Sequence, residues 1–181
     1  HDGLMRMYEK QEDLFYYITL ENENYLQPSM LDNVEEGIIK GMYLLKPGEN
    51  GKLKVQLLAS GSMVNEIIEA GKLLKSDFGI DSDIWSVTSF SELHREAEDK
   101  KRWNTLHPDK EDKPSYVGSN LKSENGPVIA VSDYVKLVAE QIAPYIDCHF
   151  VALGTDGFGR SDTRKELRTF FEVNRYYIVL A

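Results

Sequence analysis

The chain has 181 residues, 41% of them hydrophobic, and no run of the roughly 20 apolar residues that cross a bilayer, so no membrane partner is expected. One domain plus an attached segment is the expectation at this size, with enough chain to bury a core. A net charge of −9, from 30 acidic against 21 basic residues, disfavours nucleic acid. The densest basic run, Lys100-Lys101-Arg102, directly follows Glu96, Glu98 and Asp99 and reads as a solvated helix face.

Leu4, Met5 and Tyr8 stand at helical spacing within residues 1–13, and Leu14–Leu20 (LFYYITL) has the aromatic, β-branched composition of a strand. Glu21–Asp32 is polar and reads as a linker. Ile38–Leu45 reads as a strand interrupted at Gly41 and ended by Lys46-Pro47-Gly48. Lys54–Ala59 is a buried strand, after which Gly61 and Ser62 open a helix with Val64, Ile67, Ile68, Gly71 and Leu74 on one face. Asp83–Thr88 is the next strand. Ser89 and Glu92 have capping-box spacing and start a polar helix reaching Trp103. Val128–Val131 is a strand, and Ser132 or Asp133 caps a helix turning Tyr134, Leu137, Val138, Ile142 and Tyr145 inward. Phe150–Leu153 is the last strand of the alternation. Thr163 and Glu166 form a second capping box, and Leu167, Phe170 and Phe171 are that helix's apolar face. Tyr176–Ala181 reads locally as strand.

Alternation at this spacing predicts an α/β domain: a mostly parallel sheet, helices on both faces, right-handed crossovers. The turn after the 38–45 strand is too short for a parallel crossover, so that strand is expected to have an antiparallel neighbour.

Chemistry is sparse. Cys148 is the only cysteine, so no internal disulfide can form; it reads as a buried, reduced thiol and fits a reducing cytosol. No basic-then-apolar leader begins the chain, and a cytoplasmic location is expected. His94 reads as exposed on a polar helix and His107 as a helix-end residue; no His or Cys pair has metal-ligand spacing. Ser60-Gly61-Ser62 reads as a turn and cap rather than a nucleophile elbow.

The most unusual segment is Gly154–Asp162 (GTDGFGRSD), between a strand and a capped helix, where open α/β sheets bind ligands. Its glycines are spaced G-x-x-G-x-G, which is not the dinucleotide fingerprint, and it lacks the Gly-Lys-Ser/Thr ending of a P-loop. Two readings stay open for Asp156, Phe158, Gly159, Arg160, Ser161 and Asp162: an architectural or interface loop, or an anion site beside a helix start.

YYITLENENYLQP at Tyr16–Pro28 resembles a segment of homodimeric pyruvate dehydrogenase E1 subunits, where it closes the middle, pyrimidine-binding domain and leads into the C-terminal domain. Further matches follow in order: HDGL at 1–4, KVQLLASGS at 54–62, SVTSFSEL at 86–93, RWNTLHP at 102–108, GTDGFGRSDTR at 154–164 and FFEV at 170–173. They cover essentially the whole chain. A transketolase or 2-oxoglutarate dehydrogenase origin is the rival, but transketolases carry a shorter Phe-Gly signature in the loop, and the fuller form here, with NENY and RWNTLHP, resembles the pyruvate-specific type.

The resemblance implies a three-layer, transketolase C-terminal-like fold with four parallel strands and one antiparallel edge strand. It divides the chain into the end of the middle domain (1–20, a helix–strand remnant), a linker (21–32) and the C-terminal domain (33–181). It also implies a last helix capped by Asn174, in place of the local strand reading, and cut short at residue 181. The strand at Leu14–Leu20, parted from its partners, would then expose an unpaired edge. The parent enzyme would use thiamine diphosphate and Mg²⁺ to decarboxylate pyruvate and pass the acetyl unit to a lipoyl group on E2. Its partners would be the remaining E1 domains, a second E1 subunit and E2. The diphosphate and metal motif, the activating glutamate and the substrate histidines of that family map to none of residues 1–181. No catalytic, cofactor-binding or metal-binding residue is therefore assigned, and the chain alone is expected to be inactive.

Overall fold

A computed structural model describes residues 1–49, 51–122 and 126–181. A first helical turn, α1 (Asp2–Leu4), continues as a π-helical turn over Met5–Glu9. Leu14–Leu20 follows, and it forms no strand. A strand exists only through a partner's hydrogen bonds, and among the described residues nothing supplies them. Phe15, Tyr17 and Ile18 are exposed, as is Leu20 at 90%. Tyr16 is tied back, its hydroxyl donating to Asp2.

Glu35–Lys40 is a helix, α2, and only Met42–Lys46 is strand β1. The interruption expected at Gly41 is in fact the boundary between them. Gly41 ends α2 at φ +104°, and a Cβ there would lie 2.7 Å from the Ser89 carbonyl oxygen. Only glycine meets both demands.

The remaining elements alternate as expected: β2 (Lys54–Ala59), α3 (Met63–Phe78), β3 (Asp81–Val87), α4 (Phe90–Leu106), α5 (Tyr116–Asn120), β4 (Val128–Val131), α6 (Leu137–Glu140), β5 (Phe150–Leu153), α7 (Arg164–Phe170) and α8 (Arg175–Leu180). They build one five-stranded sheet in the order β1-β3-β2-β4-β5. Four strands run parallel, and β1 lies antiparallel along the β3 edge. The antiparallel neighbour of β1 is thus β3, two strands on, and not β2 across the short turn. That turn, of which Asn50 lies outside the described residues, carries the chain past β3 into the sheet's centre.

Parallel strands buried on both faces read as unbroken apolar runs, and β2 shows why. Val55, Leu57 and Ala59 join one cluster with Met63, Ile67 and Leu74 of α3 and Ile178 of α8. Leu58 points the other way, to Phe90, Leu93 and Ala97 of α4, Val117 of α5 and Ala139 of α6. Val128 and Ala130 against Ile129 and Val131 repeat the alternation in β4. Three layers follow directly.

One polar network crosses the sheet. The Trp85 indole N–H donates to Gln56 Oε1 at 2.8 Å, and Gln56 Nε2 donates to Asp83 at 2.9 Å. Asp83 also pairs with Lys54 at 2.8 Å and accepts the Gly48 N–H at 2.7 Å. Burial opposes its ionisation, yet Lys54 and the two N–H donors outweigh it and hold the carboxyl below its ordinary value.

Both capping residues hold: Ser89 Oγ accepts from Glu92 N at 3.1 Å, and Thr163 Oγ1 from Glu166 N at 3.4 Å. Asn174 caps α8, accepting from Tyr176 N at 3.0 Å, so the last segment is helix and not strand. Four smaller expectations change. The helix after β4 is two short pieces, α6 and a 3₁₀ turn over Ala143–Tyr145, which leaves Tyr134 and Leu137 exposed while Ile142 is buried. Phe170 is exposed, with Phe171 facing the core. His94 is half-buried, its Nδ1 3.0 Å from the Gln141 carbonyl oxygen. Cys148 is half-buried against the α4 side of the core, and burial raises its thiol pKa.

Candidate functional site

From β2 the chain crosses by α3 to β3 on one side. From β3 it crosses by α4, over the opposite face, to β4 on the other side of β2. The winding direction therefore reverses between β2 and β4, and the loops there diverge to leave a crevice at the strands' carboxyl ends. A cavity of about 710 Å³ occupies it, floored by Ser60, Gly61, Thr88 and Asp133 and covered by Tyr17, Leu20, Glu21 and Pro28 from the N-terminal segment. A second, of about 270 Å³, opens beside it between Ser62, Thr155, Arg160, Arg164 and Arg168; Asp133 lines both.

Each loop has a local reason for its course. Neither Ser132 nor Asp133 caps the helix after β4, which starts at Leu137 without a side-chain cap; Ser132 Oγ instead accepts from Tyr134 N at 3.1 Å and turns the chain, leaving the Asp133 carboxyl for the crevice. Burial, then the charge of Glu21, raises that carboxyl's pKa, against the pull of its own N–H and of Arg168 and Arg164. Ser62 precedes α3 without capping it; its hydroxyl accepts instead from Arg168 at 3.1 Å.

The Gly154–Asp162 loop is pinned at its start. Thr155 N donates to the Tyr134 carbonyl at 2.8 Å, Thr155 Oγ1 to the Asp133 carbonyl at 2.8 Å, and Lys136 N to Asp156 at 2.9 Å. A Cβ on Gly154 would stand 2.3 Å from Lys136 N, so only glycine lets the two loops touch. Beyond that point the loop is free: Phe158 is 90% exposed, Gly159 and Ser161 are exposed, and Asp162 only accepts its neighbour's N–H, from Thr163 at 2.7 Å. Arg160 lies over the Phe170 ring at 5.3 Å and, with Gly159, lines the smaller cavity. Of the six residues singled out from sequence, two therefore reach a cavity.

The glycines separate experimentally. Gly154→Ala should cost about 2 kcal/mol, from one forced backbone displacement. Gly159→Ala, with nothing within 4 Å of its Cβ, should stay within about 0.5 kcal/mol, both read from thermal unfolding.

Sequence reasoning passed over Arg164, Arg168 and Asp133. The spacing of Arg164 and Arg168 was a usable signal, since a step of four places side chains on one helix face, while Arg160 joins them from the loop before α7. Among the described residues, no three His, Cys, Asp or Glu side chains converge as a metal site. Among the described residues no histidine lines either cavity.

The family described as the transketolase-like TK C-terminal domain matches residues 41–174. The chain belongs to that family. Among characterised proteins it is 54% identical to the pyruvate dehydrogenase E1 components of Cupriavidus necator and Pseudomonas aeruginosa, over 99% of this chain but 20% and 21% of theirs. It is 50% identical to the Escherichia coli K12 pyruvate dehydrogenase E1 component, over 100% of this chain and 20% of that one. The chain thus spans about a fifth of the length of these relatives. Solved transketolases share the fold. The Leishmania mexicana enzyme aligns with TM-score 0.51 and 23% identity over 80% of this chain and 18% of that one. A split-gene transketolase, an inactive β4 tetramer, aligns with TM-score 0.52 and 17% identity over 78% of this chain and 41% of that one.

Proposed function

We propose that this transketolase-like domain is the C-terminal, non-catalytic part of a pyruvate dehydrogenase E1 component. In this reading residues 1–20 end the middle domain, 21–32 link, and 33–181 form the C-terminal domain. The parent, a cytoplasmic homodimer, decarboxylates pyruvate with thiamine diphosphate and Mg²⁺ and hands the acetyl unit to lipoyl-bearing E2. The observation that carries it is identity of 50–54% along 99–100% of the chain, in proteins about five times as long. The exposed Leu14–Leu20 segment fits too: in a longer chain it would find the strand partner it lacks here.

The residues present do not fit the cofactor. Among the described residues no three His, Cys, Asp or Glu side chains converge to hold the Mg²⁺ through which thiamine diphosphate would bind. The cationic row could not take the diphosphate freely, because Arg164 already faces Glu23 and Arg168 faces Glu66. Supplying the fold and part of the subunit surface is the role left to this piece.

Titrating the chain with thiamine diphosphate and Mg²⁺ in a calorimeter should give no binding heat; micromolar binding would overturn the non-catalytic assignment. Adding the chain to an E1 lacking this region should restore pyruvate-dependent acetyl transfer, and failure of both assembly and activity would count against the E1 assignment.

A second reading makes the Asp156–Asp162 loop a docking point for E2 or an anion. It is favoured by Arg160, which lines the smaller cavity and has no carboxylate partner among the described residues. In the whole enzyme Arg160→Ala would then weaken E2 assembly or an effector response, whereas unchanged assembly and regulation would dismiss it.

A further inference from the structure

The polar segment between the N-terminal remnant and α2 is not a free tether. Glu21, Asn22, Glu23 and Tyr25 lie within five residues, bent at Asn22 and Glu23, and all four meet α7. Arg164 Nε lies 3.0 Å from Glu23, its Nη1 3.7 Å from Glu21, and its other terminal nitrogen donates to Asn22. The Tyr25 ring faces the guanidinium groups of Arg164 at 5.8 Å and Arg168 at 5.7 Å. Tyr25 also donates its hydroxyl to Glu23 at 3.2 Å. Arg168 is held in place from behind, by Glu66 at 3.2 Å and Ser62 at 3.1 Å.

We infer that Glu21–Tyr25 is an electrostatic strap, buckled onto Arg164 and Arg168 of α7, that holds the preceding segment across the carboxyl-edge cavity. Tyr17, Leu20 and Glu21, which cover that cavity, are continuous with the strap and have few other ties to the domain. Each contact alone is weak, because the paired side chains are a third to a half exposed and water competes for them. Two carboxylates on one guanidinium, with an aromatic ring over two, make a joint that is closed at low salt and released by screening. When it opens, the cavity at the β2/β4 switch point is uncovered, and the N-terminal segment is free to take another angle. The strap is a property of this chain and stands whether or not the E1 assignment does.

Chymotrypsin tests it on the 181-residue chain, with exposed Tyr17 as an internal reference for cleavage at Tyr25. At about 50 mM salt, Tyr25 should be cut at least about tenfold more slowly than Tyr17, and about 500 mM salt should bring the two rates together. Arg164→Glu should speed cleavage at Tyr25 about tenfold at low salt. The double variant E23R/R164E should return it to within about threefold of the original, because the pair is rebuilt with its signs exchanged. Equal rates at Tyr17 and Tyr25 at low salt would overturn the strap. So would an unchanged Tyr25 rate in a folded Arg164→Glu variant. If that variant fails to fold, the salt series on the original chain decides.

Discussion

Replacing Glu66 by Ala should destabilise the chain by about 3 kcal/mol, because it leaves Arg168 without its carboxylate and Arg175 with only the distant Glu69, at 3.8 Å. Glu66 projects from α3 with 7% of its side chain exposed, and it ties two later elements together. One oxygen receives Arg168 at 3.2 Å and Arg175 at 3.1 Å; the other receives the Arg175 Nε and backbone N–H, both at 3.0 Å. Arg175 is the first residue of α8, so a single carboxylate fastens α7 and α8 to α3. The magnitude is set at the low end for a broken buried pair because Arg175 remains 36% exposed and can recover water. For a chain of this size the midpoint should fall by roughly 6 to 12 °C.

The same pair makes a pH prediction. Burial pushes the Glu66 carboxyl up, but Arg175, through side chain and backbone, and Arg168 pull it further down, leaving it below its ordinary 4.5. A carboxyl depressed in the folded state lends stability that is complete above its unfolded pKa and lost as pH falls through the folded one. Thermal unfolding of the Glu66→Gln variant and the original chain should therefore differ most near about pH 7 and converge toward about pH 3. A constant gap across that range would mean the charge contributes nothing.

Leu57→Ala is expected to cost about 4 kcal/mol, more than the loss of the Glu66 carboxylate. Leu57 is fully buried in β2, with Ile84 of β3 and Ile129 of β4 beside it in register. Sheet neighbours on both sides and α3 above leave little room for the cavity to collapse, which places the cost high in the usual range. Leu57→Ile, which keeps the volume, should cost under about 1.5 kcal/mol. Leu20→Ala, removing an equal side chain that is 90% exposed, should stay within about 0.5 kcal/mol. Urea unfolding of the three variants checks the ordering, and a Leu57→Ala loss near that of Leu20→Ala would contradict the packing.

How legible each element was depends on what stabilises it. Val128–Val131 could be read as a strand because burial on both faces demands an unbroken apolar run, and Lys54–Ala59 because Val55 and Leu57–Ala59 keep nearly such a run around Gln56. Ser89 and Thr163 announced helix starts because a cap acts within three residues, whereas the helix after Asn174 came from the family resemblance against a local strand reading. Ile38–Ile39 misled because two β-branched residues beside a glycine look alike in a strand and in a helix's last turn. The difference lies in the Ser89 carbonyl, 48 residues on, which leaves Gly41 no room for a Cβ. Leu14–Leu20 misled in the opposite sense: its composition is that of a strand, but composition supplies no partner.

The site divides the same way. The sequence by itself determined the alternation, the family motifs and the loop at Gly154–Asp162, all of them local or linear. Only the tertiary structure decided that β1 lies on β3 and that the winding reverses between β2 and β4. It alone also decided that Asp133, Ser62 and the Arg160–Arg164–Arg168 row meet there beneath Glu21–Tyr25. Those meetings join residues as far apart as Ser62 and Arg168, 106 positions, and no local pattern encodes a contact whose partner is chosen by how the sheet winds.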